Sequence, residues 1–163
     1  MIMNMKLAFN HDDVRTKATR LKGLLGQDVR PDVQQLASAR WAFASALMQL
    51  LATKERYIYT KLELDERPEV NRYFDRSKKD LRRRFDAYID HMQKWPSSDT
   101  INWSSYRKSA IDVVDLFLVR LTLEETELFK FIEKMEIDVS HPCMAISNWT
   151  RYAFQMKDNI AVM

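Results

Sequence analysis

Pro31, Pro68, Pro96 and Pro142 divide this chain of 163 residues into stretches of helical length, and its only glycines are Gly23 and Gly26. Proline lacks a backbone donor and its ring clashes with the preceding turn, so it sits at helix starts and joints rather than inside. The neighbouring Asp28, Asp65, Ser97, Ser98 and Asp99 are of cap- and turn-forming types. Helices are therefore expected at about 8–25 (A), 32–64 (B), 69–95 (C) and 100–137 (D), followed by a shorter helical tail at about 144–157.

Apolar residues recur at helical spacing in each stretch. Val14, Ala18, Leu21 and Leu25 mark A, and Phe43, Leu47, Leu50 and Ile58 mark B. Val70, Phe74, Leu81, Phe85, Tyr88 and Trp95 mark C, and Ala110, Val114, Phe117, Leu121, Leu128 and Phe131 mark D. Each helix thus has one stripe to bury. Short connections between long helices make neighbours antiparallel, so the expected fold is all-α, an up-down-up-down four-helix bundle with a short C-terminal helical tail.

A chain of this length buries roughly 70% of its unfolded surface around one core. Residues 1–163 are accordingly expected to form a single domain, with the bundle at about 8–137 and the tail at about 140–163. Ile146, Trp149, Ala153 and Met156 give the tail an apolar face, to be packed on the bundle or used in a dimer contact. Trp41, Trp95, Trp103 and Trp149 are suited to cover the joints, each indole nitrogen reaching a partner.

The single cysteine, Cys143, cannot close an internal disulfide, and the N-terminal MIMNMKLAFNHDD has neither the basic start nor the apolar run of a signal peptide. A cytoplasmic location is expected. No stretch approaches the roughly 18 consecutive apolar residues of a membrane span, so no membrane association is expected. KKDLRRR at 78–84 is a basic run of the kind that attracts phosphates. In a helix its residues spread over more than half the circumference, with Asp75, Asp80 and Asp86 interleaved, so a solvated face is expected and nucleic acid is not an expected partner. Gly-rich phosphate loops, nucleophile elbows, Cys-pair zinc motifs and dinucleotide fingerprints are all absent.

Each stripe is interrupted once by a polar residue. His11 continues the A stripe ahead of Val14, Lys54 lies between Leu50 and Ile58, Ser77 between Phe74 and Leu81, and Glu124 between Leu121 and Leu128. From the A/B joint, His11 lies about 19 residues back and Leu50 about 20 forward; from the C/D joint, Ser77 lies about 21 back and Arg120 about 22 forward. At roughly 1.5 Å per residue these distances match within a turn. The interruptions should therefore meet in one layer of the interior.

The segments SARWAFASALMQLLATKERYIYTKL (38–62) and DLFLVRLTLEETELFKFIE (115–133), preceded by FNHDDVRTKATRLKGLL (9–25), carry a specific likeness. An acidic turn followed by an aromatic-aliphatic close, YIYTKL and ELFKFI, occurs twice. Over about residues 8–136 the chain resembles the hemerythrin-like, HHE cation-binding family. That family places a His near the start of A, a His and a Glu four apart on B, one or two His on C, and a His with a carboxylate on D, around an iron pair. The resemblance assigns His11 to the A ligand and Glu124 or Glu125 to the D carboxylate. On B it sets Leu50 at the His position and Lys54 at the Glu position, with Glu55 one residue away; on C it falls on Ser77, and on D Arg120 stands for the His.

The resemblance thus implies that His11, Glu55, Glu124 and Glu125 are the remnant of a metal site, and Leu50, Lys54, Ser77 and Arg120 its replacements. His91 is about 14 residues from the layer and His141 follows D in a loop. One imidazole is fewer than iron generally needs beside carboxylates. Lys54 and Arg120 either neutralise the carboxylates left in the interior or snorkel outward while Leu50 fills the space. The resemblance implies a non-enzymatic bundle without a cofactor that acts through a protein partner or a homodimer. Its alternative is an iron-binding protein that senses or handles oxygen, nitric oxide or iron. A third reading is anion or nucleic-acid binding through 78–84.

Overall fold

A computed structural model describes residues 5–95 and 102–143. All regular structure among the described residues is helical. Helix α1 spans Met5–Leu25 and α2 spans Val33–Lys54, which runs through a π-helical turn, Glu55–Tyr59, into α3, Thr60–Leu64. Helix α4 spans Pro68–Lys94. Helix α5, Trp103–Leu123, runs through a second π-helical turn, Glu124–Leu128, into α6, Phe129–Lys134. Helix α1 packs on α2 and α5, α4 packs on α5, and α3 meets α4. None of these helices is long and apolar enough to cross a membrane.

The helix starts follow local chemistry. Asp32 caps α2 by accepting from the Gln35 amide at 3.1 Å, and Asn102 caps α5 by accepting from the Ser105 amide at 3.2 Å. Pro68 opens α4, where its missing N–H costs nothing. Asp65 accepts from the Arg67 amide at 2.9 Å and shapes the turn before it. Asp28, by contrast, is exposed and among the described residues reaches Arg107, so Asp32 rather than Asp28 caps α2 at the α1/α2 joint. Pro96, Ser97, Ser98 and Asp99, and the tail with Ile146, Trp149, Ala153 and Met156, lie outside the described residues.

The apolar stripes are buried nearly as expected, from Val14, Ala18, Leu21 and Leu25 to Phe117, Leu121 and Leu128. Two expected core aromatics sit at the rim instead. Trp95 and Phe131 are only partly buried, and Phe131 stacks on Tyr73 with centroids 3.9 Å apart. Trp103 covers a joint as expected, donating from its indole nitrogen to the Gln27 carbonyl at 2.9 Å. Trp41 does not: it is 48% exposed on α2.

The two π turns explain how four-residue spacing stays on one face. Buried residues recur strictly every fourth position, at Leu50, Lys54, Ile58 and Leu62 and at Arg120, Glu124, Leu128 and Ile132. In an α-helix each four-residue step overshoots a turn by about 40°, so three steps drift by about 120°. One wider turn corrects a drift of that size. The correcting bonds are present, Thr60 N–H to Glu55 C=O and Phe129 N–H to Glu124 C=O, each bridging five residues.

Candidate functional site

The π turns begin at Glu55 and Glu124, both buried, and the second opens the most charged part of the interior. Lys54, at the end of α2, is 2% exposed and donates from Nζ to Glu124 Oε2. Tyr59 donates its hydroxyl to Glu124 Oε1 at 2.8 Å, and Arg120 Nε donates to the same oxygen at 2.7 Å. Arg120 spends its remaining nitrogens on α4. They donate to the Ser77 carbonyl at 2.9 Å, the Ser77 hydroxyl at 2.8 Å and Asp80 Oδ2 at 2.9 Å.

Asp80 in turn accepts from Arg84, which is 6% exposed and also donates to the Leu116 carbonyl at 2.7 Å. The expectation that 78–84 is wholly a solvated face is corrected here. Asp80 and Arg84 turn inward, because i and i+4 on α4 lie on the side that faces Arg120 and α5. Lys79, Arg82 and Arg83 remain exposed. The snorkelling alternative for Lys54 and Arg120 is excluded by their burial.

His11 lies on the other side of Glu124. Its Nδ1 is 2.9 Å from Glu125 Oε1 and its Nε2 is 3.7 Å from Glu124 Oε2, and Nε2 is buried without a hydrogen-bond partner. Arg15 holds Glu125 from outside, with NH1 and NH2 at 2.5 and 2.9 Å from the two carboxylate oxygens. Burial, reinforced by the nearby Lys54, pushes His11 down to about 4, so at neutral pH the ring is uncharged. The carboxylate at Nδ1 can only accept, so the proton sits there and Nε2 presents a bare lone pair to the interior. Nearby, Asn10 donates to Thr53 Oγ1 at 2.7 Å and ties α1 to α2.

The electrostatics follow from the pairing. Burial works to raise Glu124, but Lys54 and Arg120 outweigh it and hold the carboxyl down at about 2. Asp80 behaves likewise, with burial overcome by hydrogen bonds from Arg84, Arg120 and Arg83, and is also held at about 2. Burial lowers Lys54 from the ordinary lysine value, with Glu124 opposing it. Glu124 is ionised with both oxygens engaged, so it is not disposed to act as a nucleophile or base.

A set of ligands for iron would need free donors converging on one point, which these residues do not provide. Among the described residues no three His, Cys, Asp or Glu side chains come together to hold a metal ion. His11 offers one nitrogen, Glu124 is taken by two cations and a hydroxyl, and Glu125 is turned to Arg15. Glu55 is buried at the first π turn without completing a ligand group with His11 and Glu124. Leu50, 1% exposed, fills space as an apolar side chain. His91 is buried near Ser109, with Nδ1 2.8 Å from its hydroxyl, and His141 is exposed. The residues present therefore do not fit an iron pair.

The layer of His11, Lys54, Ser77, Arg120 and Glu124 thus assembles as its spacing suggested. Tyr59, Asp80, Arg84, Arg15 and the Asn10–Thr53 pair were not legible as members. The available signal was positional: Tyr59 is four residues after Glu55, and Asp80 and Arg84 are four apart on one helix side. A cleft of about 240 Å³, lined by Tyr73, Ser77, Asp80, Arg120, Glu124 and Glu127, opens beside the cluster. Compared with family models, curated proteins and solved structures, the chain matches none of them.

Proposed function

We propose that this chain is a metal-independent, hemerythrin-like bundle, a non-enzymatic interaction or regulatory module in which an ion-pair network stands where that family holds its metal. Pairings between helices support an up-down-up-down arrangement. Residue 11 meets 125 while 22 meets 115, and residue 80 meets 120 while 91 meets 109, so in each pair the numbers run in opposite senses. The observation that carries the proposal is the occupancy of Glu124. A carboxylate in a metal site offers its lone pairs to the ion, whereas here Lys54, Tyr59 and Arg120 take them.

The module would act in the cytoplasm through a second copy of itself or another protein. Val29, Val33 and Trp41, exposed near the start of α2, offer apolar surface for such a contact. Metal analysis of protein purified without chelators tests the reading, with an absorption spectrum recorded alongside. Well under one equivalent of iron and no colour is expected. Near two irons per chain with charge-transfer absorption would overturn it.

One observation favours the iron-binding alternative. His11 donates from Nδ1 to a carboxylate and aims a bare Nε2 inward, the arrangement that orients histidine ligands in metal proteins. On that reading His11→Ala abolishes whatever metal is bound, and retention of the metal rules His11 out as its ligand.

A further inference from the structure

On α2, Arg40 lies 14 residues before Lys54, about 21 Å along a helix, beside a cavity of about 260 Å³. That volume exceeds the roughly 150 Å³ that accommodates benzene and approaches the roughly 300 Å³ of the smallest drug-sized sites. It suits a ligand of about ten non-hydrogen atoms. Phe43, Met92, Val113 and Val114 form apolar walls, with Ala110 leaving room among them. The lining includes no carboxylate.

Arg40 is the charged residue of this lining, half-buried, with its guanidinium carbon 5.7 Å from the centre of the Tyr106 ring. Among the described residues it makes no ion pair or hydrogen bond. Its charge is felt across the cavity, lowering Tyr88 and Tyr106 against the upward push of burial and adding to the burial that holds His91 at about 4. His91 is therefore neutral and does not compete with Arg40 for an anion. A guanidinium whose face rests on an aromatic ring keeps its edge donors for a planar, two-oxygen acceptor. Trp41 stands 48% exposed at the same cavity.

We propose that this cavity binds a small apolar monocarboxylate, with its hydrocarbon part against the Phe43 and Val113 walls and its carboxylate on Arg40. A hydrocarbon that fills an apolar volume of this size gains dispersion contacts with its walls, and Arg40, without an ion-pair partner among the described residues, selects the charge of the head group. The inference does not rest on the reading of the Glu124 cluster, which shares no lining residue with this cavity.

Titration calorimetry of the full chain with octanoate and with 1-octanol tests it. Octanoate is expected to bind at one site per chain, and octanol at least tenfold more weakly, a comparison that needs no variant. Arg40→Met should weaken octanoate at least tenfold while leaving octanol binding unchanged, which also reports an intact cavity. Ala110→Leu, which fills the space, should weaken both ligands. Absence of saturable octanoate binding, equal affinity for the two ligands, or octanoate affinity unaffected by Arg40→Met would each overturn the proposal.

Discussion

Glu124 is where a single residue decides the most. Its carboxylate neutralises Lys54 directly and Arg120 through Oε1, and Arg120 passes the connection to Ser77 and Asp80 on α4. Buried ion pairs contribute little net stability, because desolvation offsets their attraction, but losing one member leaves the other charge stranded. Glu124→Gln should therefore destabilise the fold by on the order of 1 to 4 kcal/mol, since glutamine keeps an acceptor but removes the counter-charge. Adding Lys54→Met should recover part of that loss, because residues in contact couple non-additively. Denaturant melts of the two single variants and the double variant give the coupling directly; strictly additive effects would mean that the two charges do not meet.

The elements show which parts of the structure a sequence displays. Stripe periodicity and proline placement located every described helix to within three residues, because both act on the local backbone. The π turns were harder to see, since a five-residue hydrogen bond leaves no residue-type signature. Their trace was the unbroken four-residue spacing of 50, 54, 58 and 62 and of 120, 124, 128 and 132, which a regular α-helix rotates off its face. The end of α6 is a case of local cost. Glu136 has φ of 54° and closes the helix with its N–H on Glu133 C=O, while Ile137 N–H reaches Ile132 C=O. A left-handed conformation costs a non-glycine residue about 1 to 2 kcal/mol, and Glu136 is exposed. Glu136→Gly should raise stability by about 0.5 to 1 kcal/mol once the greater unfolded-state freedom of glycine is subtracted. A lower denaturation midpoint would show that the glutamate side chain stabilises this turn by some other route.

At the scale of the molecule, the two interior histidines lie in different surroundings, His11 by the charged layer and His91 by the Arg40 cavity. The layer was legible because depth along a helix is simple arithmetic, whereas the cavity depends on how side chains from four helices, α1, α2, α4 and α5, fail to meet. Both histidines are held near 4, His11 by burial and Lys54 and His91 by burial and Arg40. In the unfolded chain each takes up a proton near its ordinary value of 6.5. Between those values the unfolded state binds more protons, so stability rises with pH across this window and is lost as pH falls through it. The loss should amount to about 2 to 3 kcal/mol for each histidine. Glu124 and Asp80 are shifted in the same direction: their folded values near 2 lie below the ordinary 4.5 and 3.8, so their contribution is kept above those values and lost only on further acidification. Denaturation midpoints measured from pH 8 to pH 2 should thus decline in two stages, the first between about 6.5 and 4 and the second below it. His91→Gln should remove about half of the first stage, leaving the share of His11, and leave the second in place. A profile level down to pH 4.5 would show that neither imidazole is held neutral by the interior.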